Sequence, residues 1–152
     1  MNWWQFYTTP NTNLKIMNAY ISVSFSNRKM MDKEITDIVD SLKNLNISSL
    51  VFVDNYEFDL TQERQMMKQA MADIDNCDML IAETSYKGIG VGIEVGYAKA
   101  KGKKVIYLRH IDKEHSTTVS GISDFKIIYI DTNDLKKQLT EILVNIKTNQ
   151  LM

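Results

Sequence analysis

The segment from residue 77 to residue 108 reads CDMLIAETSYKGIGVGIEVGYAKAKGKKVIYL and contains a complete strand–helix–strand unit. Its opening run DMLIAET (78–84) barely alternates between apolar and polar residues, which is typical of a strand buried on both faces. A glycine-rich turn and a short helix follow, and KKVIYLR (103–109) predicts the next strand. Because consecutive strands joined through a helix run parallel, this unit indicates a parallel sheet.

The alternation of strands and helices extends along the chain. Three further strands are predicted, at AYISVSF (19–25), SSLVFV (48–53) and KIIYI (126–130). Helices are predicted between and after them, over 26–45, 61–76 and 132–147. This order predicts an α/β fold, a single domain with a mostly parallel five-stranded sheet and helices on both faces, of the Rossmann or flavodoxin-like type.

Two of the predicted helices carry an apolar face. The first presents Met31, Ile35, Ile38 and Leu42, and the last presents Leu135, Leu139, Ile142 and Ile146. Ser26 or Asn27 is the expected N-cap of the first helix. In a parallel sheet, ligands bind beyond the carboxyl ends of the strands where the strand order reverses. The loops expected to line a site are therefore 24–29, 54–60, 85–92 and 110–124.

The composition predicts one compact domain. With 152 residues, 44% hydrophobic content and one proline, the chain has room for a single domain over 17–152, preceded by an aromatic arm over 1–16. The arm contains four aromatic residues, Trp3, Trp4, Phe6 and Tyr7. Because an exposed aromatic cluster of this size is unusual on a monomer, we expect it to cover a subunit interface.

Charge and cysteine content exclude several classes of function. A formal net charge of -1, with lysines spread along the chain, argues against a nucleic-acid partner. No segment has the ~18 apolar residues of a membrane helix, and no secretion signal is expected. One cysteine, Cys77, and no zinc-like Cys/His spacing predict a cytoplasmic protein without disulfide or metal. We interpret Cys77 as a small buried residue, and His110 and His115 as surface residues.

Five of the six glycines are concentrated in one stretch, at Gly88, Gly90, Gly92, Gly96 and Gly102. Their spacing fits neither the dinucleotide fingerprint G-x-G-x-x-G nor a Walker A loop. We expect the first three to let the backbone pass close to a ligand, and Gly96 to let the helix sit tightly on the sheet. Glu94 is the one acidic residue among them. In the first helical turn it either projects into the crevice or complements the helix dipole.

The segment 77–108 resembles the signature of the nucleoside 2-deoxyribosyltransferase family, which includes the 2'-deoxynucleoside 5'-monophosphate N-glycosidases. The motif that carries the resemblance is GVGIEVG (90–96), of the form G-hydrophobic-G-x-E-hydrophobic-G after a buried strand. In that family the glutamate is the nucleophile, so the resemblance implies this role for Glu94. It also implies a deoxyribosyltransferase-like fold and cleavage of the N-glycosidic bond of a 2'-deoxynucleoside 5'-monophosphate, with release of the free base.

Further positions match functional residues of that family. Tyr20 matches the active-site tyrosine of the first strand, and Ser24 matches a serine of the phosphate loop, in which Ser26 and Asn27 are further candidates. Ser116 opens a segment similar to one that a neighbouring subunit lends to the active site, where serine is typical of the monophosphate hydrolases and asparagine of the transferases. The resemblance therefore implies a homodimer or larger homo-oligomer that shares the Ser116 loop, a small nucleoside or nucleotide as substrate, and no cofactor.

One position departs from the family. Its members usually carry an aspartate eight residues before the aspartate that opens the third strand, and that position here is Ala70. Asp73 and Asp75 are near, but on a helix we expect neither to project in the direction of residue 70. Either another carboxylate, such as Asp54, takes the role, or turnover is weak.

Other interpretations stay open. A carboxylate at Glu94 can stabilise or trap the oxocarbenium-like sugar that forms when an N-glycosidic bond breaks, and Tyr20 can orient it. This chemistry also suits a nucleoside 2-deoxyribosyltransferase that exchanges bases between deoxynucleosides. Alternatives from other classes are a nucleotide-binding sensor, with Ala70 marking lost catalysis, and a TIR-like NAD glycohydrolase. Tyr20 can also be a core residue, and Ser24 and Ser26 ordinary caps.

Overall fold

The computed structural model of the chain describes residues 15–151. The aromatic residues of the predicted arm, Trp3, Trp4, Phe6 and Tyr7, lie outside the described residues. Between residues 15 and 151, no helix is both long and apolar enough to cross a membrane.

Five parallel strands form one sheet in the order β2-β1-β3-β4-β5. They are β1 (Asn18–Val23), β2 (Ser48–Val51), β3 (Met79–Glu83), β4 (Lys104–His110) and β5 (Phe125–Tyr129). The central strand β3 is buried at each of its positions, as its apolar run predicts. The strand order reverses between β1 and β3, which is the flavodoxin-like topology. The predicted parallel α/β fold is confirmed.

Helices cover both faces of the sheet. A 3-10 helix over Phe25–Met31 runs directly into α1 (Asp32–Asn44). The other helices are α2 (Phe52–Asn55), α3 (Glu63–Asp75), α4 (Ile89–Ala100), α5 (Thr117–Ile122) and α6 (Thr132–Gln150). α1 and α6 pack on one face, and α3, α4 and α5 pack on the other. The single sheet with helices on both sides makes one domain of the described residues.

Alternating strand residues supply two cores. Ile21 and Ile81 point toward α1 and α6, whereas Tyr20 and Leu80 point toward α3 and α4. The face predicted for the first helix is confirmed, because Met31, Ile35, Ile38 and Leu42 are all buried. The last helix buries Leu143 in place of the predicted Ile142, which lies half-buried at the edge of the core. Each fully buried side chain of this size contributes about 1.5–3 kcal/mol.

The predicted start of the first helix is wrong. The chain leaves β1 through a 3-10 turn, in which the N–H of Asn27 donates to the carbonyl of Ser24 at 3.2 Å. The α-helix begins only at Asp32, so Ser26 and Asn27 lie inside the 3-10 helix and neither is an N-cap. This turn brings Asn27 back toward Ser24.

The glycine-rich stretch is mostly helical. Because α4 begins at Ile89, Gly90 and Gly92 lie in the helix, and the prediction of a loop through them is wrong. Gly96 is exposed, and a Cβ there would meet no atom within 4 Å, so it does not hold the helix close to the sheet as predicted. Gly102 has φ 72°, a backbone conformation that favours glycine, and it follows the end of α4.

Candidate active site

Glu94 lies where the strand order reverses, at the carboxyl ends of β1 and β3. It is the sixth residue of α4, in the second turn, and the first turn contains no acidic residue. The prediction that Glu94 lies in the first turn is therefore wrong, and complementing the helix dipole does not explain it. The side chain is partly buried and reaches β1, where the hydroxyl of Ser22 donates to its Oε2.

Opposing effects act on the Glu94 carboxyl. Burial raises its pKa because the charged form loses hydration. The hydrogen bond from Ser22 acts in the opposite direction, as does the neighbouring hydroxyl of Tyr20. The net pKa is above the usual value of a glutamate. Such a carboxylate is a stronger base and nucleophile than an exposed one.

Tyr20 has a buried ring and a hydroxyl near Glu94. It is 1% exposed, and its ring stacks on Phe52 with 5.9 Å between centroids. Within residues 15–151 the hydroxyl has no hydrogen-bond partner. Burial and the charge of Glu94 raise the pKa of Tyr20, so the phenol keeps its proton. The interpretation of Tyr20 as a core residue holds for the ring, while the hydroxyl remains free for the site.

Ser22 is a contact of Glu94 that sequence reasoning missed. It lies two residues after Tyr20 on β1 and two before Ser24, so all three share the face of the sheet that α4 covers. The signal was available in the strand's period of two. A serine at a 1% exposed strand position needs a hydrogen-bond partner, and Glu94 supplies it.

Of the residues predicted to bind the phosphate, Ser24, Asn27 and Gly88 lie in contact, whereas Ser26 does not. Ser24 is 4% exposed, and its hydroxyl accepts from Nδ2 of Asn27 at 3.0 Å. Gly88 lies against it, since a Cβ there would be 3.4 Å from Cα and Cβ of Ser24. Ser26 is exposed and makes no such contact. Arg28, the residue after Asn27, forms ion pairs with Asp54 at 2.6 Å and Asp32 at 2.7 Å.

Ser116 makes its hydrogen bonds within α5 and with β4. It is the N-cap of α5, where its hydroxyl accepts from the N–H of Val119 at 3.4 Å. Its own N–H donates to the hydroxyl of Tyr107 at 3.2 Å, and His115 Nδ1 contacts the same hydroxyl at 3.2 Å. These contacts place Ser116 at the start of α5 beside β4, and within residues 15–151 no hydrogen bond joins it to Glu94.

The carboxylates of Asp54 and Asp73 have different hydrogen-bond partners. Asp54 is bound by Arg28, whereas Asp73 has Oδ1 bonded to Nε2 of Gln69 at 3.0 Å and a buried Oδ2 without a partner in the described range. The charge of Asp73 is among the causes that raise the pKa of Tyr20. Asp73 lies three positions after Ala70 on α3 and is partly buried, whereas Asp75 is exposed. Ala70 itself is buried at 1% exposure.

A second carboxylate, Glu83, ends β3 on the opposite face of the sheet. It accepts from the N–H of Ser85 at 2.7 Å and from the hydroxyl of Tyr129 at 2.9 Å. Burial raises the pKa of Glu83 to about 7. It fixes the turn that leads to Gly88 and α4. Between residues 15 and 151, no group of three His, Cys, Asp or Glu side chains is arranged to hold a metal ion.

Known proteins match this chain over much of its length. Residues 19–142 match the family model described as nucleoside 2-deoxyribosyltransferase. A protein of Thermofilum pendens, provisionally named 2'-deoxynucleoside 5'-phosphate N-hydrolase 1, is 29% identical over 85 residues. These residues are 53% of this chain and 59% of that protein, so the match spans less than two thirds of the relative.

Solved structures share the fold. A CMP N-glycosidase from Clostridium botulinum has a TM-score of 0.58 at 22% identity, covering 80% of this chain and 97% of that one. A 2-deoxyribosyltransferase from Bacillus psychrosaccharolyticus has a TM-score of 0.62 at 17% identity, covering 78% and 90%. A conserved protein from Enterococcus faecalis V583 has a TM-score of 0.64 at 15% identity, covering 83% and 98%.

Proposed function

Because the chain belongs to the nucleoside 2-deoxyribosyltransferase family, we propose that it cleaves the N-glycosidic bond of a 2'-deoxynucleoside 5'-monophosphate and releases the free base. The observation that carries the proposal is the placement of Glu94 at the point where the strand order reverses, with Ser22 and Tyr20 of β1 beside it. Oε2 of Glu94 accepts the hydrogen bond from Ser22, and Oε1 is the oxygen that attacks in this proposal.

The reaction proceeds in two displacements. An oxygen of Glu94 forms a bond to the anomeric carbon while the carbon–nitrogen bond breaks, and the electron pair leaves with the base, which takes a proton from water. A water oxygen then bonds to the same carbon as the ester bond to Glu94 breaks, and the water gives up its proton to solvent. The carboxylate is regenerated. Ser22 and Tyr20 keep Glu94 ionised and oriented between turnovers.

The 5'-phosphate is assigned to the turn that contains Ser24 and Asn27, against which Gly88 packs. Nδ2 of Asn27 donates to the Ser24 hydroxyl at 3.0 Å, and each group has a further hydrogen that it can donate to a phosphate oxygen. Arg28 contributes less than its charge suggests, because Asp54 and Asp32 hold it. Gly90 and Gly92 lie on open helix surface toward the same edge and remain candidate substrate contacts.

We also propose that Ser116 of a neighbouring subunit completes the site in a homo-oligomer. Within the chain its hydrogen bonds are with Tyr107 and Val119, and we assign its contact with the phosphate to a neighbouring subunit. Mixing refolded Glu94→Gln and Ser116→Ala chains tests this. Activity above the mean of the two parents is expected, because some shared sites regain both residues, and no rise would contradict the sharing.

Base exchange between deoxynucleosides is the second candidate. The glycosyl ester on Glu94 can be taken by a second base as well as by water, and the family model that matches residues 19–142 is named for the transfer reaction. Chromatographic detection of free base from nucleosides and 5'-monophosphates, with and without an acceptor base, separates the two. Release from monophosphates without acceptor supports the hydrolase, and acceptor-dependent exchange on nucleosides supports the transferase.

The control for this assay is a pair of glutamine substitutions. Glu94→Gln removes the nucleophile and should lower turnover by roughly three orders of magnitude or more. Glu141→Gln changes an exposed glutamate of α6 and should leave turnover unchanged. Near-normal activity of Glu94→Gln would end the proposal. Nucleotide binding without base release would favour a sensor, and release of nicotinamide from NAD would favour an NAD glycohydrolase.

A further inference from the structure

The hydroxyl of Tyr107 joins two residues of the segment between β4 and α5. Tyr107 lies on β4 and is 0% exposed. The N–H of Ser116 donates to its hydroxyl at 3.2 Å, and Nδ1 of His115 lies 3.2 Å from the same oxygen. The rings of Tyr107 and His115 meet edge to face, with 5.7 Å between centroids and 72° between planes. One buried residue therefore contacts two consecutive residues directly before α5.

The donors and acceptors of these groups fix the direction of both bonds. A phenol has one hydrogen to donate, and its oxygen can also accept. The bond from Ser116 uses the oxygen of Tyr107 as acceptor, so the hydrogen of Tyr107 is left for His115. A buried hydroxyl needs an acceptor for its hydrogen, and within residues 15–151 that acceptor is Nδ1 of His115. This assigns the ring proton of His115 to Nε2.

The same contacts leave one hydrogen of Ser116 for a ligand. Its N–H is used by Tyr107, and its hydroxyl oxygen accepts from the N–H of Val119 at 3.4 Å. The hydroxyl hydrogen takes part in neither bond, so it can be donated to a phosphate oxygen. Tyr107 holds the backbone of Ser116, and Val119 holds its side-chain oxygen. The direction in which Ser116 presents its hydroxyl therefore depends on Tyr107.

We propose that Tyr107 is a positioning residue for Ser116, and that His115 holds the Tyr107 hydroxyl in place by accepting its hydrogen. The inference rests on the proposed function, in which Ser116 of a neighbouring subunit contacts the 5'-phosphate. Neither Tyr107 nor His115 needs to touch the substrate. Both act on the affinity for the monophosphate through Ser116, and neither acts on the chemical step at Glu94.

Steady-state kinetics on a deoxynucleoside 5'-monophosphate test the proposal. Tyr107→Phe should raise KM by roughly two- to tenfold, the effect of one hydrogen bond, and leave kcat within about twofold. Tyr97→Phe is the matched control, because it also removes a hydroxyl with a hydrogen bond, to Asp75 at 2.9 Å, and it should leave KM within about twofold. Tyr107→Phe/Ser116→Ala should have the KM of Ser116→Ala alone, since Tyr107 acts through Ser116. Additive rises in KM would overturn the inference.

Hydrogen exchange of the Ser116 amide, followed by NMR, tests the positioning without turnover. Protection is the exchange rate of the unfolded chain of the same sequence divided by that of the folded protein. Tyr107→Phe and His115→Ala should lower it by roughly two- to tenfold, because the N–H loses its acceptor or the acceptor is no longer held. His115→Asn should keep it, since Oδ1 of asparagine can accept in place of Nδ1. The Ile111 amide, which donates to the Tyr129 carbonyl at 2.9 Å, should be unaffected in all three.

The two measurements separate failure of this inference from failure of the proposed function. If wild type releases no base from any substrate but protection of the Ser116 amide depends on Tyr107 and His115, the proposed function fails and the positioning stands. Unchanged protection in Tyr107→Phe would refute the positioning, whatever the activity. Equal loss of protection in His115→Asn and His115→Ala would contradict the assignment of His115 as the acceptor.

Discussion

Replacing Glu83 with glutamine should stabilise the protein increasingly, relative to wild type, as the pH rises from 5 to 7. Glu83 is 1% exposed, and burial is the main cause that raises its pKa from 4.5 to about 7. The folded protein therefore binds this proton more tightly than the unfolded chain. The stabilisation is complete below pH 4.5 and is lost as the pH rises through 7. Glutamine does not ionise and avoids this loss.

The expected magnitude follows from the two pKa values. Their difference corresponds to roughly 3 kcal/mol, or roughly 1.4 kcal/mol per pH unit between pH 5 and 7, with no further change above about pH 8. Glutamine preserves the hydrogen bonds. Its oxygen accepts from Ser85 N–H, and its amide donates to the Tyr129 hydroxyl, which then donates to Ser85 Oγ at 3.2 Å.

Urea unfolding followed by circular dichroism at pH 5, 6, 7 and 8 measures this effect. The quantity to compare is the difference in free energy of unfolding between Glu83→Gln and wild type. Glu141→Gln, at an exposed position of α6, should give a difference that does not change with pH. A constant difference for Glu83→Gln across the same range would refute the reasoning, because Glu83 would then titrate alike in the folded and unfolded chain.

Three further sets of substitutions test separate parts of the structure. Gly102→Ala should lower the free energy of unfolding by about 1 kcal/mol, because the backbone of Gly102 has φ 72°. Gly96→Ala should raise it by up to about 1 kcal/mol, because Gly96 lies on open helix surface. Urea unfolding measures both, and effects of the same sign would contradict these two conformations. Ser22→Ala removes a hydrogen bond that lowers the pKa of Glu94, so the acid limb of the pH dependence of kcat/KM should move to higher pH. An unmoved limb would show that Ser22 does not stabilise the ionised form of Glu94. Ser24→Ala should weaken binding of a deoxynucleoside monophosphate by roughly fivefold, but not of the nucleoside; equal losses in calorimetric titrations would remove its phosphate role.

The fold could be predicted because its signals are repeated along the chain. The unbroken apolar run of β3 and the helical spacing of Ile35, Ile38 and Leu42 each reflect burial of a whole element, so errors of one or two residues do not change the topology. The family motif around Glu94 follows this central strand, which puts the candidate site at the carboxyl ends of β1 and β3. Element type and order depend on many residues at once.

Local details depend on single interactions, which the spacing of residues in the sequence does not reveal. Helix α4 begins at Ile89 despite several glycines, because Val91, Val95 and Ala98 bury one face against the sheet and outweigh low helix propensity. The spacing of residues along α3 also does not show which oxygen of Asp73 is buried, whereas the structure has Oδ2 buried and Oδ1 accepting from Gln69.

Glu83 and Glu94 show why acidic residues at one edge of a sheet are not equivalent. Burial raises the pKa of both. Both oxygens of Glu83 accept hydrogen bonds, from Ser85 and Tyr129, and the side chain is 1% exposed, so a substrate cannot reach it. Glu94 is only partly buried, and it accepts a hydrogen bond from Ser22. A nucleophile needs an accessible oxygen near a donor that keeps it charged, and of the two glutamates Glu94 fits the proposed role.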